Sequence, residues 1–339
     1  MDKKLRVAIN GFGRIGRIFF RQAFGHPEIE VVAINDLGSP ANLAYLLKYD
    51  TVYGLYEKSV ELKNNSLVID GQEIKVLQET DPKNLPWKDL EIDVVVESTG
   101  VFETKETAGA HLEAGAKRVV ITAPAKDEET PIATPNVGMQ TLANDLITSN
   151  ASCTTNATNP VAAVMMSSVG IKKAILTTVH GYTATQGLVD GPDKKDDFRR
   201  ARAGAQNIVP STTGAAKATT RVIKELENKF DGIAIRVPVI SGSLIDFTFV
   251  SEKPTSAKEI NEIFKKASES KEWKGILTVT EDPIVSSDIL GNPHGSIVDL
   301  ALTKVIDNDL VKVFAWYDNE WGYSGMLIKH LLEVGKFTK

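Results

Sequence analysis

The chain has 339 residues, 42% of them hydrophobic and 24% charged, with a formal net charge of −5 and a single cysteine. That length suits two ordinary domains with sizeable cores, and the acidic balance argues against a nucleic-acid-binding surface. No apolar run approaches the ~20 residues of a membrane helix, and one cysteine cannot form an internal disulfide.

The first residues, Met1-Asp2-Lys3-Lys4-Leu5-Arg6, lead straight into a strand-like run with no apolar stretch and cleavage site. No secretion signal is expected, and a reducing, cytoplasmic setting fits. In chain order, residues 5–10 read as a strand, 15–24 as a helix and 30–34 as a second strand. Residues 94–97 and 118–122 read as buried strands flanking a helical stretch at 104–114, with Gly115 as its C-terminal stop. Such alternation predicts a parallel sheet covered by helices. After about Ser152 the texture changes. Residues 232–239 and 244–250 alternate as strands separated only by Ile240-Ser241-Gly242-Ser243, and 299–306 with 310–316 form a further pair. A largely antiparallel sheet is expected there, followed by an amphipathic helix at 323–335. The expected fold is α/β: a Rossmann-type doubly wound parallel sheet plus an α+β catalytic domain.

Gly11-Phe12-Gly13-Arg14-Ile15-Gly16 follows a strand and opens a helix. The first glycine makes the tight turn, the second lets backbone approach a pyrophosphate, and the third lets helix pack on strand. The helix N-terminus offers free N–H groups and a partial positive charge to phosphates. The next strand ends at Asn35-Asp36, about twenty residues past Gly16, where an acid suits ribose hydroxyls and repels a 2′-phosphate. NAD is therefore expected over NADP; the alternative is a similar sheet that binds another ligand or none.

Ser149-Asn150-Ala151-Ser152-Cys153-Thr154-Thr155-Asn156 follows a strand end at 146–148. Ser152 is a good N-cap, which puts Cys153 in the first turn of a helix. A helix N-terminus and a nearby histidine lower a thiol pKa. Cys153 reads as a nucleophile, with an inert buried cysteine as the alternative. His180 ends the β-rich run 174–179 and could deprotonate the thiol; a structural histidine is the competing reading.

Together these segments resemble phosphorylating glyceraldehyde-3-phosphate dehydrogenases over nearly the whole chain. The resemblance is carried by Ile9–Arg17, Glu97-Ser98-Thr99-Gly100, Ala151–Asn156, Thr177-Thr178-Val179-His180, Ser211–Ala218 and Trp316-Tyr317-Asp318-Asn319-Glu320-Trp321-Gly322-Tyr323. It implies that Cys153 attacks the aldehyde and His180 is its base. It implies that Thr183 and Arg236 hold the substrate phosphate. Ser152, Thr154, Thr213 and Gly214 would form the inorganic phosphate site, with Arg200 nearby. On the cofactor side it implies Gly11, Gly13, Arg14, Ile15 and Gly16 at the pyrophosphate, Asp36 at the adenine ribose, Thr122 near the nicotinamide half and Asn319 at the carboxamide. No metal is expected. It further implies an NAD-binding domain of 1–152 and 319–339, a catalytic domain of 153–318, and a homotetramer whose 183–202 loop reaches a neighbour's cofactor site. Partners would be a small phosphorylated aldehyde and inorganic phosphate, with no nucleic acid or membrane.

Four places depart from the family pattern, one of them Gly325-Met326 after Tyr323. Thr80 stands where an arginine is common before Asp81-Pro82, and Ala157 replaces a second cysteine four residues after Cys153. The stretch 134–144 also differs. A sister activity, erythrose-4-phosphate dehydrogenase, is the alternative; its members tend to have glutamate at the place of Asp36 and another residue at that of Tyr317.

Overall fold

The computed structural model describes residues 3–193 and 196–338. Two positions of the 183–202 loop, Lys194 and Lys195, lie outside the described residues, as do Met1 and Asp2. The chain divides into two compact units, one of Met1–Ala151 with Ser324–Lys339 and the other of Ser152–Tyr323.

The first unit is built on an eight-stranded sheet. Leu5–Asn10 lies at its centre, with Ile29–Asn35 and Gln72–Leu77 on one side and Val94–Glu97, Arg118–Ile121 and Ile147–Ser149 on the other, all parallel. Ser66–Ile69 and Val60–Lys63 extend the sheet as antiparallel strands. Strand order reverses beside Leu5–Asn10, and that switch point is where doubly wound sheets bind ligands. Period-2 alternation separates two cores. Val7, Ile9, Ile34 and Val96 face a layer that includes Phe19, Phe20, Leu327 and Leu331. Ala8, Ala33, Val95 and Val119 face Trp87 and Ala108. Burying each leucine or phenylalanine contributes about 1.5–3 kcal/mol. The expected helix over 104–114 is two short turns, Lys105–Ala108 and Ala110–Glu113, joined at Gly109. Gly115 ends it at φ +101°, where a Cβ would lie 2.5 Å from that of Lys88.

His330 of the C-terminal helix Trp321–Gly335 is fully buried. Its Nδ1 is 3.2 Å from the carbonyl of Ala133, which can only accept, so Nδ1 carries the proton. Nε2 then accepts from the Thr148 hydroxyl at 2.9 Å. The ring is thus neutral, and burial pushes its pKa down to about 4. The unfolded chain takes up this proton near the ordinary histidine value of ~6.5, the folded one only near 4. Stability from this group is therefore complete above pH ~6.5 and is lost as pH falls towards 4, by up to about 3 kcal/mol. His330→Gln retains both hydrogen bonds without the titration. Urea midpoints should fall more steeply between pH 7 and 4.5 for the native chain than for this variant; parallel profiles would contradict the assignment.

The second unit holds a seven-stranded mixed sheet. The order runs Val209–Thr212, Phe230–Val237, Ile171–Gly181, Ser243–Ser251, Leu310–Tyr317, Ser296–Ile306, Leu277–Thr280. Ile171–Gly181 pairs parallel with Phe230–Val237, and Leu277–Thr280 parallel with Ser296–Ile306; the remaining pairs are antiparallel. The turn at 240–243 does not close a hairpin. Ile171–Gly181 inserts between the two strands it joins, so their short connection spans a gap of one strand. Alternate residues of Ser243–Ser251, such as Ile245, Phe247 and Phe249, are buried, and the helices Cys153–Ser168 and Ala257–Glu269 pack on the sheet.

Candidate active site

In the first unit the three glycines divide the work by geometry. Gly11 sits at φ +91°, and a Cβ there would lie 2.7 Å from the Ser98 carbonyl carbon. A Cβ on Gly16 would lie 2.1 Å from the Gly11 oxygen, so only glycine lets helix and turn close. Gly13 is exposed and a Cβ would meet nothing within 4 Å, which leaves room for a ligand over the N-terminus of helix Arg14–Ala23. A cleft of about 410 Å³ opens there, lined by Gly11, Gly13, Asp36, Thr80, Ser98 and Thr99. Asp36 accepts from the Phe12 amide at 2.6 Å and the Gly38 amide at 2.8 Å, so its carboxylate also braces the glycine turn. The Arg14 side chain turns away to a two-pronged ion pair with Asp50. What residues 14 and 15 offer a pyrophosphate is backbone in the first helical turn. Thr122 follows the strand Arg118–Ile121, its amide donating to the Glu97 carbonyl at 3.0 Å.

In the second unit Ser152 caps the helix Cys153–Ser168, its Oγ accepting from the Thr155 amide at 3.1 Å. Cys153 is the first helical residue and half-buried. Its Sγ lies 3.3 Å from His180 Nε2. His180 is near the end of Ile171–Gly181, 3% exposed, and its register partner on the parallel strand is Arg236. Strand pairing thus places a cation beside the imidazole, with Arg236 Nη1 2.6 Å from His180 Nδ1. Burial pushes the Cys153 thiol up, against the Arg236 charge and hydrogen bonds from the first helical amides, which pull it down. Burial, then Arg236, push His180 down to about 3. The helix terminus and Arg236 thus pull the thiol down against a larger push from desolvation.

Tyr317, to which the sequence assigns no role, is a further residue of this site. It is 1% exposed, its hydroxyl within 2.9 Å of Thr154 Oγ1 and 2.8 Å of Thr178 Oγ1, and its ring stands edge-on to His180. The Thr154 hydroxyl thus has Tyr317 as a partner beside Cys153. Arg200 donates to Ser211 Oγ at 2.7 Å and reaches the Thr212 carbonyl, which places it beside Thr213 and Gly214. Those two precede helix Ala215–Val222, where a Cβ on Gly214 would meet open space. The Thr183 hydroxyl is 2.9 Å from that of Thr185, which lines one pocket with Arg200 and Thr212. Asn319 Oδ1 accepts from the Gly242 amide and Ser243 Oγ, both at 3.0 Å, which leaves its NH₂ as the free donor end of the amide. Among the described residues no cluster of three or more His, Cys, Asp or Glu could hold a metal.

Two family models match the chain. Residues 5–105 match the model described as glyceraldehyde 3-phosphate dehydrogenase, NAD binding domain, and residues 152–319 match glyceraldehyde 3-phosphate dehydrogenase, C-terminal domain. The chain belongs to the glyceraldehyde 3-phosphate dehydrogenase family. It is 51% identical over 331 residues to the glyceraldehyde-3-phosphate dehydrogenase of Borreliella burgdorferi, covering 96% of this chain and 98% of that protein. It is 49% identical over 333 residues to that of Streptomyces coelicolor, covering 98% of each. With glyceraldehyde-3-phosphate dehydrogenase 2 of Bacillus subtilis it shares 46% over 337 residues, covering 99% of this chain and 98% of that protein. The chain is thus an NAD-dependent dehydrogenase of this family, and NAD is its cofactor. The open face at Gly13 and the braced Asp36 fit that cofactor. The signal for Tyr317 lay within Trp316–Tyr323, but its role depends on Thr154 and Thr178, far away in sequence.

Proposed function

We propose that the protein oxidises D-glyceraldehyde 3-phosphate with NAD and inorganic phosphate to 1,3-bisphosphoglycerate through a thioester on Cys153. The observation that carries this is the Cys153–His180 contact of 3.3 Å at a helix N-terminus, with Arg236 alongside. His180 Nε2 takes the thiol proton as Sγ adds to the aldehyde carbon and returns it to the carbonyl oxygen, giving a thiohemiacetal. Bound NAD supplies the hydride acceptor. His180 takes up the hemiacetal hydroxyl proton as the carbon loses hydride, leaving the Cys153 thioester. An oxygen of inorganic phosphate, cradled by Ser152, Thr154, Thr213, Gly214 and Arg200, attacks that carbonyl; the C–S bond breaks, the leaving sulfur takes back the proton held on His180, and the phosphate's own proton leaves to solvent. Arg236 and Thr183 hold the substrate's own phosphate, the arginine through its planar fork of donors.

A homotetramer follows from the family resemblance. Exposed Leu188, Val189 and Phe198 in the 183–202 loop, and Ile175 and Ile233 on the sheet, supply apolar surface for such contacts. A cytoplasmic setting fits the lone reduced thiol. Among the described residues no helix is long and apolar enough to cross a membrane.

The deciding assay follows reduced nicotinamide with glyceraldehyde 3-phosphate and NAD, with and without inorganic phosphate. Sustained turnover should require phosphate. Equal turnover without it, or preference for erythrose 4-phosphate, would replace the proposal with the hydrolysing sister activity.

A further inference from the structure

The three strands that meet at the switch point end in a polar rung. Asn10 is in register with Asn35 on one side and Glu97 on the other, and all three are at most 4% exposed. Asn35 Nδ2 donates to Asn10 Oδ1 at 2.7 Å and to the Glu79 carbonyl at 2.9 Å; the Glu79 amide returns a bond to Asn35 Oδ1 at 2.8 Å. Asn10 Nδ2 donates to Glu97 Oε2 at 2.6 Å. The other carboxylate oxygen accepts from the Thr99 amide at 2.8 Å and from the Thr99 hydroxyl. From the core side, Trp87 Nε1 donates to His111 Nδ1 at 3.0 Å. An indole N–H only donates, so His111 Nδ1 accepts and its proton sits on Nε2, which donates to Glu97 Oε2 at 3.0 Å. Both His111 and Trp87 are fully buried.

Glu97 thus receives four donors and gives none, so its carboxyl oxygens act only as acceptors. One continuous chain of hydrogen bonds links the Glu79–Thr80 wall of the cleft, through Asn35, Asn10 and Glu97, to the Thr99 wall. The Gly11 turn lies between, and Ser98 Oγ donates to its carbonyl at 2.6 Å. We infer that Glu97, oriented by His111 and Trp87, is a positioning residue that sets the spacing of the two cleft walls and so the affinity for the dinucleotide. The inference rests on the reading of this cleft as the NAD site.

Glu97→Gln keeps the shape but places an NH₂ against two donors whichever way the amide turns. Calorimetric titration of the purified full chain with NAD should show the dissociation constant rise ~10-fold or more, the effect of a buried donor left unpaired. Turnover at saturating NAD should stay within about threefold, since the rung touches no reacting atom. His111→Gln can accept from Trp87 and donate to Glu97, so it should bind NAD nearly as the native chain does. His111→Leu, which can do neither, should weaken it about fivefold; this pair also decides the matter if Glu97→Gln fails to fold. Asp36→Asn tests the cleft itself. If it weakens NAD while Glu97→Gln and His111→Leu lower only the melting temperature, the rung is merely structural and the inference falls. Should none of the three alter NAD affinity, the cleft reading falls with it.

Discussion

Cys153→Ser should reduce the single-turnover rate of NAD reduction by roughly 10⁴-fold or more, the scale seen when a covalent nucleophile is removed. The swap is nearly isosteric at a half-buried first helical position, and Ser152 and Thr155 still cap the helix. The fold and the NAD-binding unit are therefore untouched, and NAD affinity should be unchanged. The chemistry is lost because a hydroxyl ionises far less readily than a thiol and is a poorer leaving group in the second half-reaction. A serine variant within 100-fold of the native rate would show that hydride transfer does not pass through a covalent adduct at this position.

His180→Asn should lower turnover by about 10²–10⁴-fold, the range for a general acid–base group. Its argument turns on one nitrogen. His180 Nδ1 is 2.6 Å from the Gly181 carbonyl and 2.6 Å from Arg236 Nη1. The carbonyl requires a proton on Nδ1; the guanidinium requires a lone pair there. Only the first arrangement leaves Nε2 able to accept the thiol proton. Arg236 turned onto a substrate phosphate favours it, and also removes the cation that, after burial, holds the imidazole down at about 3. An aldehyde lacking the phosphate should therefore suffer in turnover as well as in apparent affinity. In His180→Asn that difference in turnover should vanish, because no base remains to be released. Alkylation of Cys153 by iodoacetamide should also be slower at a given pH in the variant than in the native chain, since no imidazole takes the thiol proton as the sulfur attacks. Unchanged alkylation profiles would remove His180 from the role of base.

Local signals were readable wherever one stretch of chain makes its own structure. Gly11, Gly13 and Gly16 each meet a steric demand within a few residues, Ser152 caps the helix that begins at Cys153, and Asp36 follows the second strand. Strand identity was readable too, because alternation of buried and half-exposed residues along Ser243–Ser251 is a property of the strand alone. Alternation does not name a partner. The insertion of Ile171–Gly181 between its neighbours, and hence the rung that sets Arg236 beside His180, was settled by packing of segments tens of residues apart. The same holds for the Tyr317 hydroxyl, shared by Thr154 and Thr178, and for the Asn35–Asn10–Glu97 rung. Even the state of the thiol belonged to the tertiary structure. Capping favours a thiolate from the sequence outward, but desolvation depends on what the rest of the chain folds over Cys153, and here burial carries the larger weight.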